Sequence, residues 1–291
     1  MKLFVFGLGY SGRYIAERHM ANGHHAIGTV RSRHKADALS SSGLTARVFS
    51  PDENDSDIES DLETAEALLV SAPPAANGDP VLTAYAQHIA AAPHLRWIGY
   101  LSTVGVYGNH DGGWVDEETP VNPGNARSHY RAKAEKAWLA FGAENDLAAH
   151  IFRLAGIYGP GQNQLVQLAK GTARRVIKPG QMFNRIHVED IARAVDASMD
   201  RPRAGRIYNV TDNEPAPPQD VVTFAANLCG CEPPHEVDIE KAGLTEMGRS
   251  FYAENKRVRN QRLRDELGVT LAYPTYREGL TALRAAGDGP N

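Results

Sequence analysis

Short apolar runs alternate with amphipathic stretches through the first half of the chain. Leu3–Phe6, Ala26–Val30, Ala46–Phe49, Leu68–Val70, Trp97–Leu101 and His150–Leu154 are too short for helices and rich in branched and aromatic side chains, so they predict buried strands. Between them, Ser11–Ala21, Pro80–Ala91 and Ala126–Phe141 carry apolar residues at helical spacing, and Asn22-Gly23 supplies a stop for the first of these helices. Strands separated by helices pair in parallel, because each crossover returns the chain to the same end of the sheet. The expected fold class is α/β, a doubly wound parallel sheet.

After Gly156 the pattern loosens. A helix is expected from Gln164 to about Gly171, another from near Asp190, and a strand at Arg206–Val210. Pro215, Pro217 and Pro218 mark a boundary, beyond which helices alternate with polar loops and Ala285–Asn291 reads as a frayed tail. At 291 residues the chain is long for one small core and short for two independent domains of ordinary size. The expected organisation is a main domain from residues 1–155 and 186–212, with a small C-terminal substrate lobe from 156–185 and 213–291.

Charge and cysteine usage narrow the function classes. A net charge of −4 argues against a general nucleic-acid grip, which needs a basic face. Cys229 and Cys231, one residue apart with no further partners, make neither a zinc site nor a disulfide framework, so no metal is expected and both read as reduced thiols. No segment approaches the run of about 18 apolar residues that a membrane span needs. The N-terminal apolar run breaks at Gly7, too early for a secretory signal. A cytoplasmic protein acting on a small molecule, without nucleic acid or membrane partners, is the expectation; self-association as a homodimer is left open.

Gly7-Leu8-Gly9-Tyr10-Ser11-Gly12 follows the first strand and opens the first helix. In that context G-x-G-x-x-G marks a dinucleotide site of the Rossmann type. Gly7 makes the tight turn, Gly9 lets a pyrophosphate approach the backbone, and Gly12 lets helix pack on strand. The first helical turn, with Tyr10 and Ser11, offers its N–H groups and positive potential to the phosphates. The second strand ends at Thr29-Val30 and is followed by Arg31-Ser32-Arg33, where an acidic residue would bind the ribose hydroxyls of NAD. A guanidinium instead suits a 2′-phosphate, so NADP is expected, with NAD as the alternative if these arginines only decorate an exposed loop.

Further motifs define a resemblance. Leu101-Ser102-Thr103-Val104-Gly105-Val106-Tyr107-Gly108, Val115-Asp116-Glu117 with Pro120, Lys133-Ala134-Glu135, Arg153–Gly161, Ile186–Ala192 and Tyr208-Asn209-Val210 occur in the order seen in extended short-chain dehydrogenases. The chain resembles that family, which includes sugar-nucleotide epimerases and dehydratases, well over residues 1 to 212 and loosely beyond. The resemblance implies that Thr103 holds the substrate oxygen, unless it merely caps the strand end. It implies that Lys133 bonds the nicotinamide ribose and lowers the pKa of an adjacent tyrosine. The family's tyrosine stands four residues before that lysine; here the position is His129, and Tyr130 is its neighbour, so either is a candidate for proton exchange. Val104 and Gly105 replace the acidic pair of the dehydratase branch, which argues against sugar dehydration.

His187 reads as a structural residue packing the turn before an Asp190 helix cap. Arg153, Arg174 and Arg175 are either phosphate ligands or solvated, and Trp97, Trp114 and Trp138 read as packing residues. The implied function is an NADP(H)-dependent oxidoreductase or epimerase acting on a sugar nucleotide or similar polar carbonyl or alcohol, bound in a cleft beside the lobe. The alternative is a dinucleotide-binding sensor or scaffold without the acid/base pair.

Overall fold

The computed structural model describes residues 1–53 and 55–290. They form two compact units, one of Met1–Thr103, Ala126–Arg153 and Ile191–Tyr208, the other of Val104–Asn125, Leu154–Asp190 and Asn209–Asn291. The second unit is more extensive than the expected lobe, since it also takes 154–155, 186–190, 209–212 and, as its largest addition, 104–125. That segment is tied down by backbone bonds from His110 and Gly112 to the Asn255 carbonyl (2.9 and 3.0 Å). A short parallel pair of Trp114–Val115 with Arg257–Val258 continues the attachment.

The first unit is built on a seven-stranded sheet. Its chain order begins β1 (Lys2–Phe6), α1 (Tyr10–Ala21), β2 (His25–Val30), α2 (Arg33–Ser41), β3 (Thr45–Val48) and α3 (Ser56–Glu63). It continues with β4 (Ala67–Val70), α4 (Pro80–Ala91), β5 (Trp97–Thr103) and α5 (Ala126–Glu144). Across the sheet the order is Arg206–Val210, Ala148–Leu154, β5, β4, β1, β2, β3. β1 runs parallel to both β2 and β4, β2 to β3, and β4 to β5. The winding reverses at β1, so the crevice at the carboxyl ends of β1 and β4 is where such a sheet receives a ligand. β4 is wholly buried, as is β1 after Lys2, which explains why they read as continuous apolar runs rather than alternating ones. The Rossmann-type architecture expected from the sequence is the one observed.

α2 and α3 have no counterpart in the hydrophobic pattern. α2 buries only Ala36 and Leu39, and α3 only Ile58, Asp61 and Leu62, too few apolar anchors to show a helical period. α3 is fixed instead by polar contacts. The Asp55 side chain caps it by accepting from the Asp57 N–H (2.8 Å), and Arg47 reaches Asp61 at 2.9 Å.

In the second unit, helices Pro218–Cys229 and Tyr276–Ala285 pack with Tyr158 and Leu165 around a second apolar cluster. The expected frayed tail is tied down up to Pro290. The Asp288 carboxylate accepts from the Gly161 N–H (3.1 Å) and Asn163 Nδ2 (2.6 Å), and Arg284 donates to the Pro290 carbonyl (2.9 Å). Asp190 is not an N-cap either. The helix starts at Val188, and the Asp190 carboxylate accepts from the N–H groups of Ala272 (2.6 Å) and Tyr273 (3.0 Å) in a distant loop. Among the described residues no helix is long and apolar enough to cross a membrane.

Candidate active site

At the end of β1 the chain turns sharply at Gly7, whose φ of 99° lies in the region that favours glycine. The Gly7 N–H donates to Thr29 Oγ1 at 3.0 Å, joining the loop to β2. A Cβ on Gly12 would lie 2.3 Å from the Gly7 carbonyl oxygen, so only glycine lets α1 press against the loop. At Gly9 the opposite holds: a Cβ there would meet nothing within 4 Å. α1 starts at this open place with no side-chain cap and no acid in its first turn, which holds Tyr10 and Ser11. Its positive end therefore faces a space that a pyrophosphate can fill.

Arg31, Ser32 and Arg33 lie exposed between β2 and α2. The loop and β2 are neighbours, since the Leu8 N–H donates to the Thr29 carbonyl (2.7 Å). A third cation joins them. Lys35, on the first turn of α2, donates from Nζ to the Leu8 carbonyl at 3.0 Å, a contact the motif alone did not reveal. Its sequence signal was the basic run Arg31–Lys35, which holds no acid.

The other half of the site is set by the roll of α5 against β5. Ser102 Oγ donates to Glu135 Oε1 at 2.5 Å, and Arg153 Nη2 meets Glu135 Oε2 at 2.8 Å. Glu135 and Arg153 are 3% and 4% exposed, so this is a buried, fully paired charge that fixes which side of α5 faces the sheet. Each helical residue turns by about 100°. Ser128, Arg131, Trp138 and Gly142 therefore share the Glu135 stripe. Trp138 stacks on Tyr100 with centroids 6.4 Å apart, and Arg131 Nη1 donates to the Leu101 carbonyl at 2.6 Å.

Lys133, Tyr130 and His129 do not share that stripe. They stand about 160°, 140° and 120° from Glu135 around the helix. Lys133 and His129 are exposed and Tyr130 is half-buried. Arg131 grips the strand end at Leu101, two residues before Thr103, which closes β5. The residue that anchors α5 on the sheet is Glu135, two residues after Lys133.

Other sequence candidates have structural roles. His187 is buried between the rings of Tyr158 and Tyr273 (centroids 5.1 and 4.1 Å) and accepts the Glu189 N–H at Nδ1, as a neutral imidazole can. Burial lowers its pKa to about 4. Arg174 donates to the Ala242 carbonyl (2.9 Å) and Arg175 pairs with Glu236 (2.7 Å). Trp97 and Trp138 are core residues, but Trp114 is 50% exposed, with Arg259 5.0 Å above its ring. The second unit also holds an open pocket of about 780 Å³, lined by Trp114, Asp116, Asp212, Arg259 and Arg262 among others.

Residues 3–211 match the family model described as the NAD dependent epimerase/dehydratase family, and the chain belongs to that family. The cofactor of the family is a nicotinamide dinucleotide, and the open cradle at Gly9 fits one. Over 288 residues the chain is 28% identical to Protein YeeZ of Escherichia coli (strain K12), covering 94% of this chain and 96% of YeeZ. A functionally unknown conserved protein from Silicibacter pomeroyi DSS has a solved structure with a TM-score of 0.90 and 50% identity, covering 99% of each chain. The dTDP-glucose 4,6-dehydratase (rfbB) of Bacillus anthracis str. Ames, solved in complex with NAD, shares the fold at a TM-score of 0.79 and 18% identity, covering 99% of this chain and 97% of its own.

Proposed function

We propose that this protein is an NADP(H)-dependent oxidoreductase acting on a polar carbonyl or alcohol. The observation that carries the reading is the uncapped, open helix start at Gly9 beside the cationic group Arg31, Arg33 and Lys35. Gly7, Gly9, Tyr10, Ser11 and Gly12 would cradle the pyrophosphate, and Arg31, Ser32 and Arg33 the 2′-phosphate. Bound, the nicotinamide supplies or accepts a hydride. Thr103, at the end of β5, then holds the substrate oxygen, since a hydroxyl can donate to a carbonyl and accept from an alcohol. With His129, Tyr130 and Lys133 off the sheet-facing stripe, proton exchange falls to Thr103 and solvent. Sugar nucleotides are the first substrates to screen, because the structural relative from Bacillus anthracis is named for one.

The same stripe supports a second reading, a dinucleotide-binding sensor or scaffold without turnover. Absorbance at the reduced-nicotinamide band, followed during a screen of carbonyls and sugar nucleotides, separates the two. Oxidation of NADPH by any of them supports the enzyme. Tight NADPH binding by calorimetry with no turnover supports the sensor, and no binding of either dinucleotide overturns both.

A further inference from the structure

Arg131 is half-buried, and its guanidinium is held by one nitrogen only. Nη1 donates to the Leu101 carbonyl (2.6 Å) and to the Tyr100 hydroxyl (3.3 Å), while the guanidinium carbon lies 5.6 Å from the centroid of the Tyr100 ring. Among the described residues no group meets Nε or Nη2, and no carboxylate pairs with the charge. Glu135, four residues on, is already engaged by Ser102 and Arg153. Asp79, the cap of α4, is near enough for the charge of Arg131 to act on it, but its Oδ1 accepts from the N–H groups of Val81 (3.0 Å) and Leu82 (3.2 Å). An anchored cation thus keeps its side-on edge open at the carboxyl end of β5.

That edge has a definite chemistry. The Nε–H and Nη2–H bonds of a guanidinium are parallel and spaced to meet both oxygens of a carboxylate. An arginine stays protonated throughout the neutral range, so its part here is to hold an anion, not to exchange a proton. Thr103 stands two residues beyond Leu101, about 7 Å along the strand. A carboxylate seated on Arg131 leaves a carbonyl a few bonds away within reach of the Thr103 hydroxyl.

We infer that Arg131 is a substrate-binding residue and that its free Nε/Nη2 edge selects substrates with a carboxylate a few bonds from the reacting carbon. This rests on the reading of Thr103 as the holder of the substrate oxygen. The test uses the full chain loaded with NADP+ and three matched probe pairs: lactate and lactamide, pyruvate and pyruvamide, galacturonate and galactose. Saturation-transfer NMR ranks affinity, and the arginine Nε–H resonances report contact, that of Arg131 being the one missing in Arg131→Lys. At least one carboxylate is expected to bind tenfold or more tightly than its neutral partner and to move the Arg131 resonance. Arg131→Lys, which keeps the charge but not the fork, should lower that preference several-fold, and Arg131→Met should abolish it. Equal binding within every pair, or a preference that survives in Arg131→Met, overturns the inference. NADP+ titration of the same samples keeps the two readings apart: normal cofactor affinity with no carboxylate preference sinks only this one.

Discussion

Gly9 and Gly12 are three residues apart and identical, yet their surroundings ask opposite things of them. Gly9 has an ordinary backbone conformation (φ −75°) and open space around its missing Cβ, so a valine there costs the fold little and fills the space left for a pyrophosphate. Gly9→Val is expected to abolish dinucleotide binding in calorimetry while leaving the melting temperature within a few degrees. Gly12→Ala, pressed against the Gly7 carbonyl, should lower the melting temperature first. Normal binding by a folded Gly9→Val protein would mean the loop is not the phosphate site. The cations beside it carry a second prediction. Arg31→Ala should reduce the preference for NADP over NAD by about tenfold, the scale of one charge-assisted contact. An unchanged ratio would show Arg31 to be a solvated surface residue.

At the scale of the element, α5 shows how one buried pair decides which residues face the sheet. Glu135 has a partner on β5 and another on the strand Ala148–Leu154, so it holds the helix in both directions. Glu135→Gln removes the buried carboxylate charge that pairs with the Arg153 guanidinium, and the loss of stability should be about 3–5 kcal/mol by chemical denaturation. Lys133→Ala, on the exposed side, should change stability by less than about 0.5 kcal/mol. The same roll bears on activity. Once a substrate is known, Tyr130→Phe, His129→Ala and Lys133→Ala should each leave kcat within a few-fold of wild type. A loss of about 100-fold in Tyr130→Phe, the scale of a lost general acid, would return proton transfer to the tyrosine.

For the whole molecule, buried titratable groups set a pH profile. His19, His150 and His187 are each held neutral, with pKa values lowered by burial from 6.5 to about 4. Below pH 6.5 the unfolded chain takes up protons that the folded chain refuses, so stability is lost as pH falls from about 6.5 towards 4. Asp212 acts in the other sense. Burial raises its pKa from 3.8 to about 8, so the stability it lends is full below 3.8 and is lost as pH rises through 8. His150→Gln should flatten the fall of the melting temperature between pH 6.5 and 4.5. Asp212→Asn, which mimics the neutral form, should flatten any decline between pH 6.5 and 8. Unchanged profiles in both variants would show that other groups govern the pH response.

The sequence by itself determined the parallel sheet and the glycine loop, because both are local. Strand length, helix period and the spacing of Gly7, Gly9 and Gly12 lie within a few consecutive residues, and the structure shows the tight turn at Gly7, the close packing at Gly12 and the open space at Gly9. α2 and α3 escaped because two or three buried side chains are too few to make a period; their places come from the core they cover. The assignment of 104–125 to the second unit, and the tethering of the C-terminal residues by Gly161 and Asn163, depend on partners more than a hundred residues away. The face of α5 was likewise decided only by the tertiary structure. Read along the chain, Tyr130 and Lys133 are as good a pair as Arg131 and Glu135. The choice between them is made by Ser102, 33 residues before Glu135, and Arg153, 18 after it, whose groups are buried and must be paired. A buried charge can accept only one arrangement of its partners, and that requirement turns Arg131 towards the sheet and Lys133 towards water.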